Sequence, residues 1–516
     1  MTITTEKASA FTSAEIPRYE DARPEIFVPR HEIPPALLAA EANTLGWDAV
    51  NAIRLPEVNK AMLDSGASPA TFRATIQNGW SIDGTFGPWQ LTRGGSGAIV
   101  FLRVPITAAH MTFPNIDDLS FTDGRATVAI KLQYLPQPPD EQPARATGDD
   151  DGTKEYLARE TEARSEDDPA VVVQSIDYGS ASPTDLQKAV FQAALVDWFN
   201  KNLATFTYVF SVVNINARAA KESFQWLKPT YTSYAYFNGR SDEESYFGVL
   251  NLTEGDSAEG LTNQLPPSAI PSGCQASILV SNGLFLREMV MPGLTKSFTR
   301  ATESDFRINS LGTVIESQNP VTLDDIRIAG INYTPEMRTF RLQIVGDEIQ
   351  IDTLTKINVS PGIDAYINDT EFYKVVLVNK PDGGQTLDFA RSRDPKRTHW
   401  METAVWVTIT EAIIALVGAV AAGVARSAIE PVVKRVIAVV IIAVVAGVLA
   451  AIPAIISAVM EGKAAEALPS IAELSVEASN DVAWPGSTGF TLRSAQLNGS
   501  FQLGGDLTPV TARAKV

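Results

Sequence analysis

Apolar and polar positions alternate along most of the chain from residue 46 onward. GWDAVNAIRL at 46–55 predicts a strand, and LPEVNKAMLDSG predicts a short helix with Pro56 in its first turn and Gly66 just past its end. ATFRATIQ, AIVFLRVPI and ATVAIKLQYL, within residues 70–135, predict half-buried antiparallel strands. Because SILVSNGLFL, FRLQIVGDEIQI, KINVSPGIDAYI and FYKVVLV continue the pattern, the protein is predicted to be rich in antiparallel β-structure.

The segment SPTDLQKAVFQAALVDWFNKNLATF has the best helical pattern in the first half of the chain. Apolar residues recur at helical spacing along one broad face: Leu186, Val190, Phe191, Ala194, Leu195, Trp198 and Phe199. A face this wide needs to be covered by another layer, so the sequence predicts meandering sheet wrapped on a few long helices.

Residues 404–460 break this pattern and predict two apolar helices. Residues 412–425 and 436–460 are uncharged, and the polar segment 426–435 separates them. The second run would extend roughly 37 Å, enough to cross a hydrocarbon layer of about 30 Å. Pro453 and the alanine and valine content favour a hairpin buried in protein, and the soluble β-structure on both sides supports that interpretation. Membrane insertion stays open as the alternative.

Two polar segments flank or interrupt the strands. Residues 1–40 are polar and rich in proline, which predicts an extended arm. Residues 136–169 hold eleven acidic and four basic side chains, which predicts a flexible acidic loop. The arm lacks the basic and apolar regions of a secretory signal, so we expect synthesis in the cytoplasm, followed if at all by release through a route without such a signal.

Composition narrows the class of protein. A chain of 516 residues predicts two or more packing units. With 45% hydrophobic and 20% charged residues, neither wholesale disorder nor a polytopic membrane protein is indicated. The formal charge of −18 repels phosphate backbones, so no nucleic-acid partner is expected. Cys274, the single cysteine, excludes an intrachain disulfide.

The sequence shows no recognisable catalytic or metal-binding motif. His31, His110 and His399 lie in unrelated segments without ligand spacing, so structural roles are expected for them. Glycines 94, 95 and 97 open a predicted strand rather than a helix, as a hairpin turn would and a phosphate loop would not. We therefore predict a non-enzymatic protein with no cofactor and no metal.

Several stretches resemble the 47-kilodalton tubular lipid-binding (TULIP) family found in botulinum OrfX-type toxin gene clusters. They are NTLGWDAVNAIRLPEVNKAM at 43–62, SILVSNGLFLREMVMPGL at 277–294, the apolar helical region 404–460, and FTLRSAQLNGSFQLGG at 490–505, read as a closing strand. The resemblance implies an α+β fold in which a strongly curved antiparallel β-sheet wraps around long α-helices. The expected halves are 41–270 and 271–516. The resemblance also implies a link to toxin gene clusters, including insecticidal ones.

Three functions follow as hypotheses. The first is a lipid- or hydrophobic-ligand-binding accessory protein of a bacterial toxin system. The second is a protein with a packed interior that binds a toxin or companion protein to protect or deliver it, and the third is a membrane-inserting toxin that uses 404–460. The residues predicted to line an apolar interior are Leu186, Val190, Phe191, Ala194, Leu195, Trp198, Leu284, Leu286 and Met289.

Overall fold

The structure is a computed structural model that describes residues 41–75, 79–97, 99–113, 117–136, 153–159, 169–215, 219, 222–446, 470–471, 474 and 482–510. The predicted arm 1–40 lies outside the described residues. The strands up to residue 281 are β1 (Ala49–Arg54), β2 (Thr71–Thr75), β3 (Ser81–Phe86), β4 (Gln90–Ser96), β5 (Ile99–Thr112), β6 (Leu119–Pro136), β7 (Thr153–Arg159), β8 (Val171–Asp177), β9 (Ser211–Ile215), β10 (Pro229–Phe237), β11 (Tyr246–Thr253) and β12 (Ala276–Ser281).

The later strands complete a mostly antiparallel β-architecture. They are β13 (Phe306–Ile308), β14 (Val314–Ser317), β15 (Val321–Thr322), β16 (Ile326–Ile328), β17 (Ile331–Tyr333), β18 (Glu336–Val345), β19 (Glu348–Ser360), β20 (Ile363–Asn379), β21 (Gln385–Arg391), β22 (Lys396–Thr403), β23 (Val482–Ala483), β24 (Ser487–Leu497) and β25 (Ser500–Pro509).

Few helices accompany these strands in the described part of the chain. The α-helices are α1 (Leu55–Ser65), α2 (Asp185–Lys201), α3 (Asn282–Leu284), α4 (Met291–Leu294), α5 (Glu411–Val424) and α6 (Glu430–Ala446). Two π-helical turns, Phe285–Val290 and Ala425–Ile429, join α3 to α4 and α5 to α6. Short 3₁₀ turns occur at Leu203–Thr205, Glu222–Leu227, Thr295–Ser297 and Glu303–Asp305.

The chain divides into two compact units. Of the described residues, unit A contains 41–281, 474, 482–495 and 500–510, and unit B contains 282–446, 470–471 and 496–499. The division after Ser281 separates β12 from α3, and the last described strand, β25, belongs to unit A.

In its described part, unit A is built from two sheets and the α-helices α1 and α2. A six-stranded sheet has the order β10-β11-β1-β12-β25-β24, and a nine-stranded sheet follows β2-β3-β5-β6-β7-β9-β23, with β4 on β5 and β8 on β6. The predicted strand and helix at its start are both present as β1 and α1. Gly66 ends α1 in the left-handed region, at φ 62°, where a residue without Cβ meets no steric penalty.

Two predictions for unit A are wrong in detail. Residues 153–159 lie within the predicted acidic loop but form β7, which pairs with β6 and β9 because the fully buried Leu157 anchors it in the core. The remainder of that prediction, at 137–152 and 160–168, lies outside the described residues. The predicted closing strand 490–505 is a hairpin, β24 and β25, since Asn498 and Gly499 form a turn with Gly499 at φ 73°.

Unit B contains an eight-stranded sheet and the apolar helical region. The sheet follows β13-β14-β18-β19-β20-β21, with β15 on β18 and β22 on β20, while β16 and β17 form a separate ribbon. Strand β20 carries β22 along its first half and β21 along its second half on the same side, opposite β19. We call residues 411–446 the apolar helix.

The predicted polar break between two apolar helices is wrong. Helical structure continues from α5 through the π turn into α6, so the segment 426–435 lies inside one helix rather than in a loop. In an α-helix the ring of Pro431 would collide with the carbonyl four residues earlier. The π turn, closed by the Glu430 N–H donating to the Ala425 carbonyl, widens the backbone immediately before that proline. The rest of the predicted second helix, 447–460, lies outside the described residues.

Candidate functional site

Helix α2 presents most of its predicted apolar residues to the core of unit A. Its first turn is fixed by a capping box, in which the Gln187 N–H donates to the Thr184 hydroxyl and the Thr184 N–H donates to the Gln187 side chain. Phe191, Ala194, Leu195 and Trp198 are buried in one hydrophobic cluster, Val190 packs against its edge, and Leu186 is 53% exposed.

Aromatic rings fill the space between α2 and the surrounding strands. Phe86 lies 5.4 Å from Trp198 and 6.0 Å from Phe199, measured between ring centroids, and Trp89 lies 4.9 Å from Phe206. The cavity among these side chains has a volume of about 10 Å³, roughly the space of a single water molecule. The predicted residues on this helix, except the exposed Leu186, therefore pack against protein.

The remaining predicted residues lie in unit B, at the helical segment 282–297. Leu284, Leu286 and Met289 are all buried. Close packing continues at Gly293, where a Cβ atom would collide with the side chain of Val439 on the apolar helix. Glycine lets the two helices approach closely at this point. Of the nine residues predicted to line one interior, six lie in unit A and three in unit B, and Leu186 is exposed rather than part of a core.

The apolar helix has two different faces in its first half. Val417, Val420, Ala421 and Val424, at spacings of three and four, are buried against unit B. The opposite face is uncharged and exposed, at residues 412, 414, 415, 416, 419 and 422. An exposed helix face usually carries charged or polar side chains, so this face is unusual for a helix on a protein surface.

The loop that precedes this helix exposes two large apolar side chains. Val405 is 94% exposed and Trp406 is 71% exposed. The Trp406 ring covers the backbone of Gly362, where a Cβ would come within 2.6 Å of it. Residues 405 and 406 together are called the apolar tip below.

The polar middle of the apolar helix is explained by a charge cluster on the sheet. Arg397 on β22 donates to Asp369 on β20 at 2.8 Å and lies 3.4 Å from Glu430 on the helix and 3.7 Å from Glu371. Arg391 donates to Glu371 at 2.7 Å. These five residues, called the charge cluster, connect the helix to the sheet. Residues 369 and 371 are two apart on β20 and so share the face that Arg397 reaches.

Burial controls the protonation of the two buried carboxyl groups. Asp369 and Glu371 are 1% exposed or less. Desolvation raises the pKa of both carboxyl groups above their ordinary values, while Arg397 opposes the shift at Asp369 and Arg391 opposes it at Glu371. Because arginine side chains occupy the carboxylates, the cluster ties the apolar helix to the sheet.

A second ion pair holds the same helix one turn farther along. Arg435 donates to Asp324 at 3.3 Å through two nitrogen atoms. Its side chain is 18% exposed, whereas that of Asp324 is 48% exposed. Glu430 and Arg435 therefore both bind partners in unit B, which is why the polar segment does not interrupt the helix.

Another buried carboxyl group lies on the opposite face of the sheet. Asp352 on β19 accepts hydrogen bonds from Gln350 at 2.8 Å and from Thr370 at 2.7 Å. Desolvation raises the pKa of Asp352, and those two hydrogen bonds act in the opposite direction. Across the described ranges, no three His, Cys, Asp or Glu side chains converge as a metal ion would require.

Comparison with known proteins identifies the family. The sequence matches the profile of the OrfX-like family, described as Protein OrfX2/OrfX3/P47, over residues 44–505. The chain belongs to the OrfX-like family. Protein OrfX3 of Paraclostridium bifermentans is 28% identical over 502 residues, covering 91% of this chain and 99% of that protein. Protein OrfX3 of Clostridium botulinum (strain Kyoto / Type A2) is 25% identical over 502 residues, covering 90% and 99% respectively.

A solved structure supports the same fold. P47 from Clostridium botulinum A2 superposes with a TM-score of 0.60 at 16% identity, covering 90% of this chain and 99% of that one. The resemblance to the 47-kilodalton proteins of OrfX-type toxin gene clusters is therefore confirmed, as is the mostly antiparallel β-fold. OrfX-like proteins are accessory proteins of such clusters.

The sequence interpretation missed the charge cluster and the apolar tip. Asp369 and Glu371, two apart within the strand YINDTEFYKVV, were a usable signal, since paired acids in a buried strand require cations. Nothing in the local pattern of AVWVTIT marks residues 405 and 406 as exposed. That assignment depends on where the loop lies on unit B.

Proposed function

We propose that this OrfX-like protein is a non-catalytic accessory component of a bacterial toxin system that binds a companion protein or the toxin through its surface. The observation that carries the proposal is the close packing around α2 in the described part of unit A. Its central helix is covered by aromatic side chains that leave a cavity of only about 10 Å³. An acyl chain needs a far larger apolar space, because ligand pockets commonly measure at least about 300 Å³.

The close packing around α2 also affects how this protein relates to the TULIP architecture. A curved antiparallel sheet around apolar helices fits that architecture, and we include TULIP-type folding in the proposal. Closure of the interior by Phe86, Trp89 and Trp198 supports a packed member, since filled space retains dispersion contacts that an empty tunnel would lose. The acidic segment 136–169 supplies the charge for recognising a basic companion surface.

A direct test combines mass measurement with reconstituted binding. Native mass spectrometry of the purified chain is expected to give the protein mass without an added lipid. Pull-down with the purified products of neighbouring toxin-cluster genes is expected to capture one of them. Replacing Asp149, Asp150 and Asp151 by asparagine is expected to weaken capture about tenfold by slowing electrostatically steered association.

The matched control removes three acidic charges elsewhere in unit A. Glu254, Asp256 and Glu259 lie in one exposed loop, and their change to Gln, Asn and Gln is expected to leave capture unchanged. Recovery of stoichiometric lipid, or failure to bind any cluster product, would reject the proposal. Lipid recovery would instead support the first hypothesis, a hydrophobic-ligand carrier.

Membrane contact through the apolar helix is a second candidate function. Glu411–Val440 is the candidate membrane span in the part of the chain that the structure describes: 30 residues with mean hydropathy 2.0 and 39% of the most apolar window buried. Membrane insertion predicts leakage of dye-loaded vesicles that is abolished by a charge at Val445. Synthesis in the cytoplasm and later release complete the proposed setting.

A further inference from the structure

The apolar tip holds the most exposed large hydrophobic side chains in the described part of unit B. Val405 and Trp406 are adjacent in sequence, and their exposures of 94% and 71% leave most of both side chains in water. The tip lies between the end of β22 at Thr403 and the start of α5 at Glu411. Exposed apolar side chains that stand together mark interaction sites more often than isolated ones do.

Few ionisable side chains follow the tip along the chain. Residues 403–425 contain one ionisable side chain, Glu411, and the next charge is Arg426. Along the helix axis these two charges are about 22 Å apart. Between them the exposed face consists of alanines with Ile414 and Leu416, which are 37% and 39% exposed.

These features fit a lipid surface better than a protein partner. A side chain that is 94% exposed, such as Val405, lies in no groove that a partner protein could fill. A bilayer does not require a groove. Tryptophan is favoured at the boundary between headgroups and acyl chains, where its ring is apolar and its N–H stays hydrated. A helix with one uncharged exposed face and charges at both ends matches helices that lie in the plane of that boundary.

Charge decides which kind of bilayer fits. The segment 403–425 contains no lysine or arginine, and the whole chain carries a formal charge of −18. An anionic membrane would repel such a chain, since binding to anionic lipids depends on basic residues near the surface. A neutral bilayer imposes no such repulsion.

The ion pairs of the apolar helix limit how deeply it can enter. Glu430 is held near Arg397 at 3.4 Å, and Arg435 is held by Asp324 at 3.3 Å. The first half of the helix also keeps Val417, Val420 and Val424 buried against unit B. Crossing a bilayer would break all of these contacts, whereas shallow contact through the exposed face would break none.

We propose that the apolar tip and the exposed face of α5 dock this protein on the surface of a neutral lipid bilayer without spanning it. This inference goes beyond binding of a companion protein, and neither depends on the other. The full-length chain is expected to float with phosphatidylcholine vesicles. Binding should persist in about 0.5 M salt, because screening does not weaken apolar contacts, and about 30% phosphatidylserine should reduce it.

Point variants test whether the tip carries the binding. Val405→Asp and Trp406→Asp are each expected to weaken vesicle binding about tenfold or more, since a charge would have to enter the apolar boundary. Leu311→Asp is the matched control: Leu311 is 67% exposed in the turn between β13 and β14, and its variant should bind like the parent chain. Val405 is nearly free of contacts, so its variant should keep the parental Tm.

Four results would overturn the proposal: no binding to phosphatidylcholine vesicles, parental binding by Val405→Asp, equal loss in Leu311→Asp, or a requirement for anionic lipid. Leakage of dye-loaded vesicles would overturn the non-spanning part, because surface docking leaves the bilayer closed. Failure of vesicle binding alongside capture of a toxin-cluster protein would reject docking and leave the proposed companion function standing.

Discussion

Arg397 shows how a single residue can hold together elements that are distant in the chain. It joins Asp369 on a neighbouring strand to Glu430 on the apolar helix. A buried carboxylate that lacks a cation partner is strongly unfavourable. Arg397 therefore stabilises the fold mainly because it neutralises the buried charge of Asp369. The same reasoning gives Arg391 its role beside Glu371.

Removing this arginine should destabilise unit B strongly. We expect Arg397→Ala to lower the free energy of unfolding by about 3–5 kcal/mol, since Asp369 would remain buried without a partner. Urea denaturation followed by circular dichroism measures the change. Arg307→Ala is the control, because its pair with Glu316 is largely exposed and should contribute under about 1 kcal/mol. Equal losses in the two variants would contradict this account.

Asp352 should make the stability of the fold depend on pH in the opposite sense to an ordinary salt-bridged acid. Its pKa is raised by desolvation, so the native state binds a proton more tightly than the unfolded chain does. The stability that this group contributes is therefore present below its unfolded pKa and is lost as pH rises through its native pKa. Asparagine in its place cannot ionise.

We therefore expect the Tm of Asp352→Asn to rise relative to the Tm of the parent as pH increases from about 4 to 7. Thermal melts across that range measure it. Asp394→Asn, at an exposed position, should give a curve parallel to that of the parent. Parallel curves for Asp352→Asn as well would show that burial of this carboxyl group has no influence on folding.

At the scale of elements, the helices of this protein differ in which of their faces are covered by neighbouring structure. Helix α2 is buried along one face by the strands and rings of unit A. The apolar helix is covered on one face only in its first half, and its polar middle is matched by the charge cluster. Apolar content alone did not distinguish these cases, because each depends on neighbours that are remote in sequence.

Two positions on α2 test which predicted residues belong to the core. Trp198→Ala should cost about 3–5 kcal/mol, because the ring is buried among Phe72, Phe86 and Phe199 and its loss leaves a cavity. Leu186→Ala should change stability by less than about 0.5 kcal/mol, since that side chain is 53% exposed. Chemical denaturation compares them, and similar losses would show that the first turn of α2 is also packed.

At the scale of the whole molecule, the OrfX-like fold forms two units with a core in each. Buried aromatic and aliphatic side chains fill the described interior of both units. The net charge of −18 acts on the molecule as a whole. It opposes docking on anionic surfaces, so an apolar contact is the physically consistent route to a membrane.

The sequence by itself determined the alternating strands, helix α1 with its proline and glycine ends, helix α2, and the family. These features depend on local periodicity and on residues whose backbone preferences are strong. Asn498 and Gly499 also encode the final turn, although only the paired strands revealed it. Tertiary structure decided that 153–159 is a strand and that 426–435 stays helical, because Leu157, Glu430 and Arg435 are stabilised by partners far away in the chain. It also decided which apolar residues remain exposed, since burial is a property of the assembled layers rather than of any one segment.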